Sequence, residues 1–256
     1  MTMKLATVEW GDPQAEPLVL IHGVGGSHSM FEHVVEDRWA ARFHVIAFDL
    51  RGHGASGYDP PWDFGTYVDD IIETLDALGI QQADWVGHSF GGRLILELIA
   101  RFPERVRRAV ATEPVIRITP ELAHHRAEQE RVGGSWDSLE AFVASRENTG
   151  DIDVERYIAD VAKDFEQRED GSISRRTDQC AIVSIFGQFA SPAPPPETIT
   201  VPLMLLYSPA FGMVTREQVE AYRPYVEEIV GVPGLHAVLV SAYDETTAAV
   251  ERFLER

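Results

Sequence analysis

A single cysteine, Cys180, stands among 256 residues. One thiol makes no internal disulfide, so the fold does not depend on an oxidising compartment. Basic residues are also scarce: 22 Lys and Arg face 41 Asp and Glu, for a net charge of −19. Such a surface repels phosphate backbones and anionic lipid, which argues against nucleic acid and membranes as partners. It also favours neutral substrates over anionic ones. Apolar runs approaching the ~20 residues of a membrane helix are absent. The opening Met1-Thr2-Met3-Lys4-Leu5 lacks the apolar stretch of a secretion signal, and a cytoplasmic protein is expected.

What is present is an alternation. Short apolar runs bounded by Gly, Pro or Asp lie at 17–21, 43–48, 85–88, 109–112, 201–207 and 228–232. Runs of this length read as strands buried on both faces. Between them Phe64, Val68, Ile71, Ile72, Leu75 and Leu78 keep a helical rhythm that Gly79 stops. Leu94, Ile95, Leu98 and Ile99 mark a second helix, and 243–255 a closing one. The expected fold is α/β, a mostly parallel sheet flanked by helices.

About eighty residues break this rhythm and look helical throughout. Thr119-Pro120 is an N-cap and first-turn pair. Leu139, Phe142 and Val143 form one apolar face; Ile152, Tyr157, Ile158 and Val161 form another, and 179–189 is a further helix. The stretch ends in Pro192-Ala-Pro-Pro-Pro196, a stiff return to the sheet. Residues 114–199 are therefore expected to be a helical cap on a core made of 1–113 and 200–256.

Gly87-His88-Ser89-Phe90-Gly91 fits G-x-S-x-G between a short strand and an apolar helix, the setting of a nucleophile elbow. A strand-to-helix turn this sharp strains the serine backbone and crowds positions two residues either side, where glycine removes the side chains. The helix start then directs N–H groups at developing negative charge.

With this elbow the chain resembles the α/β-hydrolase family. His22-Gly23-Val24-Gly25-Gly26 is similar to the family's oxyanion loop, and Asp49-Leu-Arg51-Gly52-His-Gly54-Ala-Ser56 to its turn after the fourth strand. The resemblance implies Val24 and Phe90 as backbone donors to an oxyanion. It also implies a base late in the chain, and among nine histidines only His236 lies beyond the cap. His22 and His53 read as structural, and His88 as packing beside the nucleophile. The adjacent His124 and His125 do not share a helix face and give no metal site.

The carboxylate is displaced. In this family it commonly follows the seventh strand, but Ser208-Pro-Ala-Phe-Gly-Met-Val-Thr215 contains no acid. Glu113, at the end of the preceding strand, is the family's alternative position. Glu217 on the next helix and a site without an acid are the competing readings. A serine with a glutamate at this place resembles the fungal lactonases that open zearalenone. Ala111-Thr-Glu113-Pro and Gly234-Leu-His236 carry that narrower likeness, and their oxyanion loop departs from the His-Gly pattern here.

The expected function is serine-dependent hydrolysis of a neutral ester or lactone, with no cofactor and no metal. The partner is a small-molecule substrate, and a homodimer is left open. Ile116, Trp136, Phe186, Phe189 and Met213 are candidates for an apolar roof, with cap core as the alternative. One rival is carbon–carbon bond hydrolysis of a ring-cleavage product, with Arg93 or cap arginines as carboxylate ligands. The other is a slow-turnover receptor.

Overall fold

A computed structural model describes residues 2–145 and 154–256. Seven strands form the main sheet: β1 (Ala6–Trp10), β2 (Pro17–Ile21), β3 (His44–Asp49), β4 (Ala83–His88), β5 (Val106–Thr112), β8 (Leu203–Tyr207) and β9 (Glu228–Gly231). Their order is β1-β3-β2-β4-β5-β8-β9. Every pairing is parallel except that of β1 with β3.

Both faces of this sheet are apolar, which is why the strands read as continuous runs. Val19, Ile21, Trp85, Ala109, Ala111, Leu203 and Leu205 face α2 (Phe64–Ala77), α3 (Phe90–Arg101) and α8 (Arg216–Tyr222). Leu18, Leu20, Val86, Val110, Met204 and Leu206 face the other way. There they meet the helical turns at 28–39, which include α1 (Glu32–Val34), and α9 (Val238–Ser241) with α10 (Tyr243–Leu254). The α2 helix starts where Asp63 accepts from the Thr66 N–H and stops at Gly79, whose φ is 76°.

From β2 the chain moves outward to β3, then crosses to β4 on the opposite side. The sheet order thus reverses between β2 and β4, and crevices at such points open at the carboxyl ends of the strands. The His22–Gly26 turn leaves β2 and Ser89 leaves β4, so both border that crevice.

Among the described residues, no strand between Thr112 and Leu203 joins the main sheet. That segment holds α4 (Pro120–Val132), α5 (Leu139–Ala144), α6 (Val154–Val161) and α7 (Gln179–Gln188). It is not helical throughout, as the sequence suggested. β6 (Phe165–Gln167) and β7 (Ile173–Arg175) form an antiparallel hairpin. Its turn runs through Asp170, which accepts from the Ser172 N–H, and Gly171 at φ 86°. That Asp-Gly pair is an ordinary hairpin signal, masked by strands only three residues long. Ile152, expected on an apolar face, lies outside the described residues.

The inserted segment has an apolar cluster of its own, Phe142, Val143 and Phe165. It is tied to the core at its two ends by Arg93. This side chain is 1% exposed and its guanidinium donates to the carbonyls of Val115, Ile116, Ser191 and Pro192. It also pairs with Glu97 and lies 4.4 Å from the Phe64 ring centre. Read from sequence as a candidate carboxylate ligand, Arg93 is a buried clamp across the outgoing and returning chain.

Candidate active site

Two residues other than glycine have positive φ among the described residues: Ser89 at 56° and Glu113 at 48°. Such backbone costs on the order of 1–3 kcal/mol and persists only where surrounding structure enforces it. Around Ser89 the enforcement is steric. A Cβ on Gly91 would lie 2.0 Å from the Ile21 carbonyl oxygen, and one on Gly87 would lie 2.5 Å from the Gly91 oxygen. Ser89 N–H donates to Thr112 O at 2.9 Å, fixing the elbow to β5. At Glu113 the backbone N–H donates to Leu206 O at 2.7 Å.

The structure brings Ser89, His236 and Glu113 together. Ser89 Oγ lies 2.9 Å from His236 Nε2, and His236 Nδ1 lies 3.4 Å from Glu113 Oε2. Nε2 accepting from the serine leaves the proton on Nδ1, directed at the carboxylate, which is the tautomer a general base needs. The second contact is at the long end of the hydrogen-bond range. Glu113 is fully buried, and its Oε1 accepts from the Ser208 N–H. Glu217, the competing acid, is exposed on α8, and the carboxylate at His236 Nδ1 is that of Glu113.

The loop after β8 therefore supports the carboxylate instead of supplying it. Ser208 also donates to the Gly234 carbonyl in the histidine loop. Phe211 from the same loop stacks on His236, ring centres 4.9 Å apart and 25° between planes. His88 packs from another side at 4.8 Å. Burial, with the neighbouring His236, pushes His88 well below the usual histidine range, so it stays uncharged. Phe211 was invisible to sequence reasoning because nothing in a loop pattern specifies a ring stack.

Neither the Val24 nor the Phe90 N–H has a protein acceptor among the described residues. The Val24 turn is held by two buried histidines. His22 Nε2 accepts from Leu50 N–H, so its Nδ1 donates to Gly23 O at 2.7 Å. His53 Nε2 accepts from Gly25 N–H at 3.1 Å while Nδ1 donates to Arg51 O. Burial lowers both, His53 to about 3, so both remain neutral acceptors. Arg175 packs against Gly25 from the inserted segment and pairs with Glu130 at 2.7 Å.

The five residues expected to roof the site divide. Phe189 is buried against Phe64 and Phe90, and Ile116 is buried in the main cluster. Trp136 packs edge-on to Phe142 and Phe165, inside the segment's own core. It lines a cavity of about 390 Å³ with Glu130, Arg175 and Gln179, and Ser89, His236 and Glu113 are not among the lining residues. Phe186 and Met213 are half-buried on the main cluster. Among the described residues no group of three or more His, Cys, Asp or Glu could hold a metal, and no helix is long and apolar enough to cross a membrane.

Comparison with known proteins agrees with this architecture. An esterase of Escherichia coli (strain K12), YbfF, is 34% identical over 97 residues, 38% of this chain and 38% of the esterase. The 2-hydroxymuconate semialdehyde hydrolase of Pseudomonas sp. (strain CF600) is 43% identical over 98 residues, 37% of this chain and 35% of the hydrolase. The match thus spans little more than a third of either relative. The crystal structure of an E-2-(acetamidomethylene)succinate hydrolase superposes with a TM-score of 0.87 at 24% identity, covering 98% of this chain and 95% of that one. The alpha/beta hydrolase fold model matches residues 16–155, more than half the sequence, and the chain belongs to that family.

Proposed function

We propose that the protein is a serine hydrolase of neutral carboxylic esters or lactones. The observation that carries this reading is the 2.9 Å contact between Ser89 Oγ and His236 Nε2, beside two backbone N–H groups without acceptors. Ser89 Oγ attacks the carbonyl carbon while His236 Nε2 takes its proton. The tetrahedral oxyanion receives hydrogen bonds from Val24 and Phe90 N–H, donors worth a few kcal/mol each in the transition state. Glu113 holds His236 in orientation and stabilises the imidazolium. His236 then protonates the leaving alcohol, and the same histidine activates a water that releases the acid.

Residues 114–199 act as the cap over this site, and Phe211 from the loop after β8 presents its half-buried ring beside His236. The lactone side of this reading rests on analogy: the place of Glu113 resembles that of the acid in lactonases that open zearalenone. Carbon–carbon bond hydrolysis is the second reading, favoured by the relative named for 2-hydroxymuconate semialdehyde. Burial of Arg93 removes one of its expected carboxylate ligands.

The test is turnover of a matched pair, an open-chain aryl ester and a resorcylic macrolactone, with Ser89→Ala as blank. Faster serine-dependent opening of the lactone supports the lactonase reading; turnover of the ester alone supports a general esterase. Activity on neither, with turnover of a ring-cleavage product, would replace both by the second reading.

A further inference from the structure

One anchor of the Val24 turn comes from outside the core. Asp164 ends the helical turn Ala162–Asp164 of the inserted segment and is buried. Its Oδ1 accepts from Ser27 Oγ and, at 3.0 Å, from Ser29 Oγ. Its Oδ2 borders Gly26, where a Cβ would sit 3.8 Å away. Both serines follow directly on the His22–Gly26 turn. Ser27 Oγ also accepts from Ser29 N–H at 3.2 Å, so the same hydroxyl starts the next helical turn and reaches the carboxylate.

A backbone seam reinforces the contact. Arg176 N–H donates to Asp164 O at 2.7 Å, Gly54 N–H to Arg176 O at 2.8 Å, and Asp178 N–H to Gly52 O at 2.8 Å. The turn is therefore gripped by His22 and His53 from the core and by Asp164 from the inserted segment. Removing the third grip leaves the two serine hydroxyls with each other, the Ser29 N–H and the Asp160 carbonyl as partners, and cuts their tie to the buried carboxylate, while Gly25 and Gly26 give the turn backbone freedom.

The geometry points to Asp164 as a positioning residue for the oxyanion turn: seating of the inserted segment, through Ser27 and Ser29, sets the direction of the Val24 N–H. Cap seating and completion of the oxyanion site are then one event. This rests on the reading of Ser89 as nucleophile and Val24 as donor.

The experiment is the second-order rate of Ser89 labelling by a fluorophosphonate, followed by intact mass, with kcat and KM on an aryl ester. The set is wild type, Asp164→Ala, Asp164→Asn and the double variant Ser27→Ala/Ser29→Ala, each measured below its own melting temperature. Loss of one oxyanion donor costs ~10²–10³-fold, so a misdirected one is expected to slow labelling by about 10- to 100-fold. Asp164→Ala and the double serine variant should show this, with kcat reduced and KM unchanged. Asp164→Asn keeps the Oδ1 acceptor and should label near the wild-type rate. Wild-type labelling in both Asp164→Ala and the serine variant overturns the inference, as does a loss in KM alone. If Asp164→Ala does not fold, the serine variant decides. A wild-type protein that is not labelled overturns the Ser89 reading itself, and the inference falls with it.

Discussion

A methyl group added at Gly91, in the elbow, would lie 2.0 Å from the Ile21 carbonyl oxygen; added at Gly187, in helix α7 of the inserted segment, it would meet nothing within 4 Å. At the carboxyl edge of the sheet, backbone touches backbone, and strained residues are held by strands on either side. The inserted segment is attached by a short backbone seam, Arg176 and Asp178 against Gly54 and Gly52, and by side chains, Arg93 at the two crossings and Asp164 at the oxyanion turn. Groups that must be placed to within a fraction of an ångström sit where nothing can relax. The inserted segment is fastened at a few points, and a single substitution can release each of the side-chain ones.

The sharpest way to break this contrast is Gly91→Ala. Because neither neighbour is a flexible side chain, it should cost at least about 3 kcal/mol and in practice prevent folding, as judged by soluble yield and thermal melting. Arg93→Met removes a buried charge whose partners are four carbonyls and Glu97. Breaking such a cluster costs about 3 kcal/mol, to be read from urea unfolding; no change in midpoint would show the clamp to be dispensable.

A third variant sharpens the contrast through pH. Burial raises the Asp164 carboxyl from its ordinary 3.8 to about 6, against the opposing hydrogen bonds of Ser27 and Ser29. The folded state therefore binds this proton more tightly than the unfolded chain. Its contribution to stability is fully present below pH 3.8 and is lost as pH rises through about 6. Asp164→Asn should flatten the stability profile between these values, by up to about 3 kcal/mol; an unaltered pH dependence of the melting temperature would refute the assignment. The smallest effect is expected at Gly187→Ala, a gain of up to about 1 kcal/mol from helix propensity.

The same contrast explains what the sequence disclosed. Gly87, Ser89 and Gly91 were legible because sterics dictate residue type at a fixed spacing. Gly79 and Thr119 were legible as helix ends for the same local reason. Strand β1 escaped notice: it is an edge strand, only partly buried, and lacks the continuous apolar run of its neighbours. Arg93 was misread because its carbonyl partners lie 22 to 99 positions away. Asp164 went unremarked because Ser27 is 137 positions distant. Long-range side-chain contacts have no period, and a single chain carries no trace of them. Glu113 stands between these cases, since the missing acid at 208–215 directed attention to it. The Ser208 amide that steadies it was not foreseeable.

The central claim is that the carboxylate serving His236 comes from the end of β5. Its most direct test is kcat on an activated aryl ester for Glu113→Gln beside Glu217→Gln. Loss of the orienting acid in a serine–histidine site costs ~10⁴-fold, so Glu113→Gln should fall by three to four orders of magnitude while Glu217→Gln keeps wild-type turnover. Undiminished activity in Glu113→Gln, or an equal loss in Glu217→Gln, would contradict the account.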